Sequence, residues 1–480
     1  MEALAFDLVA YRQDRKRKEL REELHRKLDQ LLDDLEEEMK DEEGISGLSE
    51  LIIQKREELT SSIACEMIKE RYEEYLHQRV AICRNCGDQV YTMGKRIRVI
   101  QTMVGQIRLE RPYFYCRRCK KGFYPLDEAL GLSEGKAQYD LQRRMGKLAK
   151  ELPYSVAEEL FEDLTGVRIS DRKMHEVTNE IGEGLSVLDV APSRGEILEK
   201  VEEASKGKGW RPILVLGIDG VMVPTRPEDA KKKRRGRKKV RAKRGKWKGE
   251  WREAKGFRFY LVYGDRIEPV MCWYQIQSND DLSESLRQVK EAGLIPEDKI
   301  RLCVIGDGIG WIWDCVEEIF PKAKQILDYY HLSRYLHEVA QARYKDDPER
   351  GQHWIEATLA RLFCGEVEGV IWGLARMKKE DERAKEAIEK CLRYLKRHKE
   401  RVDYGSAKKG GYPIGSGGVE SANRFLAQAR LKRSGAWWYR ENANRMLALR
   451  SAGYNGTFDR VFKRYVGACR CSSREDTTKM

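Results

Sequence analysis

The sequence predicts an α/β protein of several domains: a helical amino-terminal stretch, a cysteine-bearing hairpin, and a mixed-sheet core interrupted by a charged helical insertion. Three observations carry this. Strand-like runs such as ILVLGID from Ile213 and RLCVIGD from Arg301 alternate with helical patterns, which implies a sheet covered by helices on both faces. Two CxxC pairs bracket 29 residues that alternate like two strands around Gly105. Leu24, Leu28, Leu31, Leu35 and Met39 recur every three or four residues, the period of an amphipathic helix. At 480 residues, 41% apolar, the chain has room for two to four domains and a sizeable core.

Charge narrows the partners. Lys and Arg number 92 against 79 acids, a net +13, which favours polyanions. The excess is local: Lys231 to Lys248 holds thirteen Lys or Arg and no acid. Lys231, Lys232, Lys233, Arg234, Arg235, Arg237, Lys238 and Lys239 open this run and are candidate phosphate contacts. The run is expected to be disordered alone and to bind phosphates without sequence preference. A merely solvated loop is the alternative, disfavoured by self-repulsion. The start MEALAFDLVAYRQDRKRK has acids within its short apolar stretch and no small-residue cleavage site. No apolar run nears the roughly 20 residues of a bilayer span. The expectation is a soluble, cytoplasmic, nucleoid-associated protein without membrane contact.

Residues 1–80 are expected to be helical, either a short dimerisation seam or helices packed on a neighbour. Across 81–126, Cys83, Cys86, Cys116 and Cys119 supply four thiolates for a structural Zn2+ in a zinc ribbon. Disulfides are the weaker alternative in a reducing compartment. Nearby Arg84, Arg117, Arg118, Lys120 and Lys121 suit phosphate contact. Residues 127–205 contain three helical patterns, the last two joined at Gly166 with Ser170 as N-cap, a helix-turn-helix outline. Its second helix offers Arg172, Lys173 and His175 to a groove, although plain packed helices give the same pattern. The core spans 206–332, with the basic loop at 231–248, and resumes at 410–455. Between them 333–409 forms a helical insertion, with Trp354, Phe363 and Trp372 as apolar anchors. Residues 456–480 are expected to be a tail, disordered from Arg470. Cys272, Cys303 and Cys315 sit in apolar patterns and are expected to be buried thiols.

The chemistry concentrates in Ile218-Asp219-Gly220, Gly306-Asp307-Gly308 and Val419-Glu420-Ser421. Asp-Gly after a strand is ordinary turn chemistry when alone. Two aspartates at the ends of separate strands, followed by a Glu opening a late helix, match the order of acidic ligands in a ribonuclease H-like fold. Such carboxylates suit two Mg2+ ions, with Mn2+ able to substitute, for in-line displacement at a phosphodiester. Arg424, Arg430, Lys432 and Arg433 follow Glu420, beside Trp437 and Trp438. Basic groups beside aromatic planes suit a DNA end; core packing of the tryptophans is the other reading.

PIGSGGVESANRFLAQARLKRSGAWW, IGDGIGWIWDCVEEIFP, ILDYYHLSRYLHEVA and LGIDGVMVPTR together resemble the DDE transposases of bacterial insertion sequences, of the ISKra type. The cysteine region and LPYSVAEELFEDLTGVRIS also look like that group, so the resemblance covers about Ile82 to Leu449. It implies metal-dependent cleavage of double-stranded DNA at transposon ends, strand transfer into target DNA, and a homodimer on DNA. It places the catalytic triad on Asp219, Asp307 and Glu420, and an Asp-x-x-His element on Asp328 and His331. His331 either orients a phosphate or shifts a proton near the metals, or simply caps a helix. Two departures stand out: the Lys/Arg-rich segment, and Gly418 where the family often carries a larger apolar residue. Competing readings are a non-enzymatic zinc-ribbon DNA-binding protein and a structure-specific nuclease that cuts without joining.

Overall fold

Among residues 8–38, 44–207, 209–227, 248–263, 266–377, 381–415, 417–418 and 423–475, which the computed structural model describes, helices surround two sheets. The chain divides into two compact units, Met1–Ile181 with Phe462–Met480, and Gly182–Val461. It is a mixed α/β, multidomain protein.

In the first unit the helices Leu8–Glu38 and Gly44–Arg71 pack on each other. The first begins well before Leu20, where its apolar stripe starts, extended by exposed pairs such as Arg15–Glu19. An antiparallel sheet follows, β1 (Val80–Ile82), β2 (Gln89–Thr102), β3 (Gly105–Cys116) and β4 (Lys121–Phe123), in that order. Gly105 closes the β2–β3 hairpin at φ +108°, a conformation open to glycine. One end of the hairpin buries Ile100, Ile107 and Leu109 against Ala64, Cys65 and Ile68 of the second helix. The other buries Ala81, Val90 and Phe114 with Cys83 and Cys116.

The helices Tyr154–Thr165 and Asp171–Ile181 meet at Gly166, which stops the first at φ +71°. The expected tail is helical instead: Phe458–Glu475 runs beyond Arg470. Its Tyr465 hydroxyl bonds Gln142 and Glu180, and the helical spacing of Phe462, Tyr465 and Cys469 is the signal for this anchorage in the sequence.

In the second unit β5 (Ile213–Thr225), β6 (Glu250–Tyr263), β7 (Arg266–Ile276), β8 (Arg301–Gly306) and β9 (Lys324–Leu327) form one sheet of order β7-β6-β5-β8-β9. The first three are antiparallel; β8 and β9 run parallel to β5. A strand ending at Asp219 was expected, but β5 continues to Thr225. The cause is its partner β6, which pairs residue for residue out to Thr225↔Glu250. On its other side β8 stops pairing at Gly217↔Ile305, so Asp219 emerges where one edge of β5 opens.

The edge strand β7 is closed by side chains of the Arg440–Tyr454 helix and the turn after it. Asn444 accepts from Ile276 N at 2.7 Å, and Asn455 accepts from Cys272 N at 2.8 Å and donates to Cys272 O at 3.1 Å. Such caps occupy ladder groups that otherwise template aggregation. Cys272, Cys303 and Cys315 are buried as expected.

The stretch 333–409 is helical, including Pro348–Phe363, Val367–Arg376 and Glu382–His398. Of the expected anchors Trp354, Phe363 and Trp372, the last is not buried. Trp372 is 61% exposed, because Val367, Val370, Ile371 and Leu374 form the buried stripe of that helix and turn residue 372 outward. Trp354 and Phe363 are partly buried.

Candidate functional site

Asp219 projects from β5 beside the loop that follows β8, where Asp307 lies. Asp307 Oδ1 accepts from Ile309 N at 3.1 Å, and its carbonyl accepts from the Tyr394 hydroxyl at 2.6 Å. Gly308 is required at this turn: its φ is +90°, and a Cβ there would lie 2.7 Å from the Tyr394 ring. After β9, Asp328 caps the Tyr329–Arg343 helix, accepting from Tyr330 N at 3.1 Å and from His331 Nδ1 at 2.5 Å.

The electrostatics tie these elements together. Burial, joined by the charge of Asp307, pushes the Asp219 carboxyl up to about 6. The Gly220 N–H, His331 and the Asn423 amide act in the opposite sense. A carboxylate raised by a neighbouring negative charge is a repulsive arrangement that a cation relieves. Asp219 also lines a cleft of about 560 Å³ with Asn423, Arg424, Gln428 and Lys432. The cleft therefore holds the Asp219 carboxylate together with two cations, Arg424 and Lys432.

Glu420 lies outside the described residues, as do Lys231, Lys232, Lys233, Arg234, Arg235, Arg237, Lys238 and Lys239. The flanks of the Glu420 segment are held from the core. Arg258 donates to Gly418 O; Arg450 donates to Leu426 O at 2.7 Å and to Phe425 O within the π-helical turn Arg424–Gln428. Arg424, Lys432 and Arg433 are exposed. Arg430 is not: it is 3% exposed, with its guanidinium 5.1 Å from the Trp438 ring centre. As a DNA contact Arg430 is corrected, since apolar packing around Trp438 removes it from the surface. Trp438 itself is core, donating to Leu431 O at 3.2 Å.

His331 prefers its charged form because Asp328 hydrogen-bonds it, with Asp307 adding to the effect and burial opposing it. A raised folded-state pKa stabilises the fold fully below the ordinary 6.5 and loses that contribution as pH rises through the folded value. Replacing Asp328 with Asn is expected to return the His331 titration, followed by NMR, toward its ordinary position. An unchanged titration contradicts the pairing.

Sequence reading missed Asn423 and Tyr394. Asn423 is 4% exposed and donates from Nδ2 to Asp219 Oδ2. Its signal was present, three residues after Glu420 in ESAN. Tyr394 comes from the helical insertion, and its role is visible only once that helix reaches Asp307. Beside it His398 is driven down to about 4 by burial, with Arg401 and Arg397 adding to that, so it is neutral at pH 7.

In the first unit the sulfurs of Cys83, Cys86, Cys116 and Cys119 all lie within 4.8 Å of one another. Cys83 and Cys119 are 3.9 Å apart, Cys86 and Cys116 3.5 Å. A tetrahedral ion with ~2.3 Å Zn–S bonds sets sulfur separations of about 3.8 Å, so the four fit such an ion. The Cys119 N–H, 3.4 Å from Cys116 Sγ, helps hold that thiol down to about 7, joined by the neighbouring thiols against burial. Arg172 and Lys173 are both at the surface but share the carboxylate of Glu176, at 3.1 and 3.5 Å. Their field on a groove is thereby reduced.

Among the described residues no helix is long and apolar enough to cross a membrane. The chain is 26% identical over 426 residues to the "UPF0236 protein in vanSb 3'region" of Streptococcus gallolyticus, covering 86% of this chain and 84% of that protein. The profile of an uncharacterised protein family, UPF0236, matches residues 39–464, a span that contains the four cysteines, Asp219, Asp307, Glu420 and Asn423. With most of its length matched, the chain belongs to the UPF0236 family.

Proposed function

We propose that this protein is a DDE transposase: a ribonuclease H-like core that cuts DNA at transposon ends and joins them to target DNA, carried with a zinc ribbon and a helix-turn-helix. The observation that carries the reading is the Asp219–Asp307 pair, where burial and a neighbouring carboxylate push Asp219 up to about 6 at the open edge of β5. The sheet order supports it, with three antiparallel strands followed by two parallel ones beyond the first.

Asp219, Asp307 and Glu420 would hold the divalent ions. When bound, these supply an acidified water and a charge clamp on the reacting phosphate. Arg424 and Lys432 orient the phosphodiester along the cleft. His331, held through Nδ1 by Asp328, would move a proton at a departing oxygen. Incubating the purified chain with oligonucleotides carrying transposon ends tests the reading. Joined products support a transposase; hydrolysed ends alone point to a structure-specific nuclease; no metal-dependent cutting overturns both.

The four cysteines are proposed to hold a structural Zn2+, on the fit of their sulfur spacing. The basic segment is proposed to bind DNA phosphates. Deleting 231–248 is expected to weaken DNA binding and to flatten the logarithmic salt dependence by about one unit for each phosphate no longer neutralised. An unchanged slope contradicts that role.

A further inference from the structure

The strongest unassigned feature is the amide of Asn423. The residue is 4% exposed, lines the cleft with Asp219, and donates from Nδ2 to Asp219 Oδ2. Its Oδ1, equally buried, has no hydrogen-bond partner among the described residues. Buried polar atoms are almost always satisfied, so an orphan of this kind calls for a cause. The surroundings explain why the side chain stays despite it. Asn423 immediately precedes the π-helical turn Arg424–Gln428, whose carbonyls at Phe425 and Leu426 are pinned by the buried Arg450. π-helical turns of this sort cluster at functional sites. The backbone is fixed, and the amide has one partner for two polar ends.

Amide carbonyl oxygens are hard, neutral ligands that suit Mg2+ and Ca2+. Rotation about the Cβ–Cγ bond exchanges the amide atoms, so one side chain can donate N–H to the Asp219 carboxylate or turn Oδ1 toward a cation on it. We propose that Asn423 is a ligand of the divalent-cation site, adding a neutral oxygen to the ion held by Asp219. This rests on the metal-dependent reading above and extends it to a residue outside the acidic trio. A neutral oxygen raises coordination number without a further negative charge beside Asp219 and Asp307.

The test is Mn2+ binding to the full chain without DNA, read by the paramagnetic resonance signal of free Mn2+, with folding checked by circular dichroism. Asn423→Leu keeps the branching at Cγ and removes the oxygen; its affinity is expected to fall about 10- to 100-fold. Asn423→Asp keeps an oxygen and loses the N–H, and is expected to bind at least as tightly as the native chain. If Asn423 only braced Asp219 through its N–H, Asn423→Asp would lose binding as Leu does, which overturns the proposal and remains decisive even if the Leu variant misfolds. Native affinity in Asn423→Leu, with binding lost in Asp219→Asn, overturns it too while leaving the metal site intact. Equal Mn2+ binding by the native chain and Asp219→Asn removes the site itself, and this ligand with it.

Discussion

Replacing Asp219 with Asn is expected to abolish DNA cutting, a loss of roughly 10³-fold or more, while making the folded chain more stable. The first effect follows from the proposed role of the carboxylate as metal ligand. An Asn keeps one oxygen but not the charge, and losing one electrostatic stabiliser of the transition state costs about 3–4 kcal/mol. The second follows from linkage. The folded-state pKa of Asp219, about 6, lies above its ordinary 3.8. Ionising it therefore opposes folding. The cost is absent below about pH 4, builds to about pH 6, and is fully present above, on the order of 3 kcal/mol. Asn cannot ionise, so the stabilisation measured by denaturant unfolding is expected at pH 7 and 8 and to vanish near pH 4. Asp307→Asn shares the loss of cutting. Native cleavage by either variant would defeat the assignment, and a stabilisation independent of pH would defeat the electrostatic account of Asp219.

The second large effect concerns the cysteine cluster. Cys116→Ser is expected to release one zinc per chain and to unfold the β1–β4 sheet around it. Metal binding at a structural site is itself folding free energy, ~10–16 kcal/mol in small zinc domains at neutral pH. The apolar cluster there is small, Ala81, Val90 and Phe114 with the two buried cysteines, and cannot replace that contribution. Elemental analysis and limited proteolysis after Arg79 or Arg84 read the two outcomes. Cys364→Ser, at an exposed thiol that is not one of the four, is expected to change neither. Zinc-free native protein, or a Cys116→Ser chain with native protease resistance, contradicts the site.

Much of the fold and of the clustering of these residues was legible in the sequence, for identifiable reasons. The runs 213–218 and 302–306 carry no polar side chain because both lie in inner strands, and the Asp-Gly pairs that follow them mark where Asp219 and Asp307 gather. The CxxC pairs meet because a hairpin with Gly105 at its tip returns Cys116 to Cys86. What escaped depends on long-range partners. The true end of β5 is set by pairing with β6, not by Gly220. Arg430 reads as a surface cation until Trp438 closes over it, and Trp372 reads as core until the helix phase turns it outward. Tyr394 supports Asp307 from 87 residues away in sequence, a contact no local pattern encodes.

The account rests on divalent ions gathering at Asp219 and Asp307. Crystals of the full chain grown with Mn2+ and measured at the manganese absorption edge test this most directly. The predicted result is anomalous density between the two carboxylates, with Glu420 brought to it, and its disappearance in Asp219→Asn. Density only elsewhere, or none at millimolar Mn2+, would contradict it.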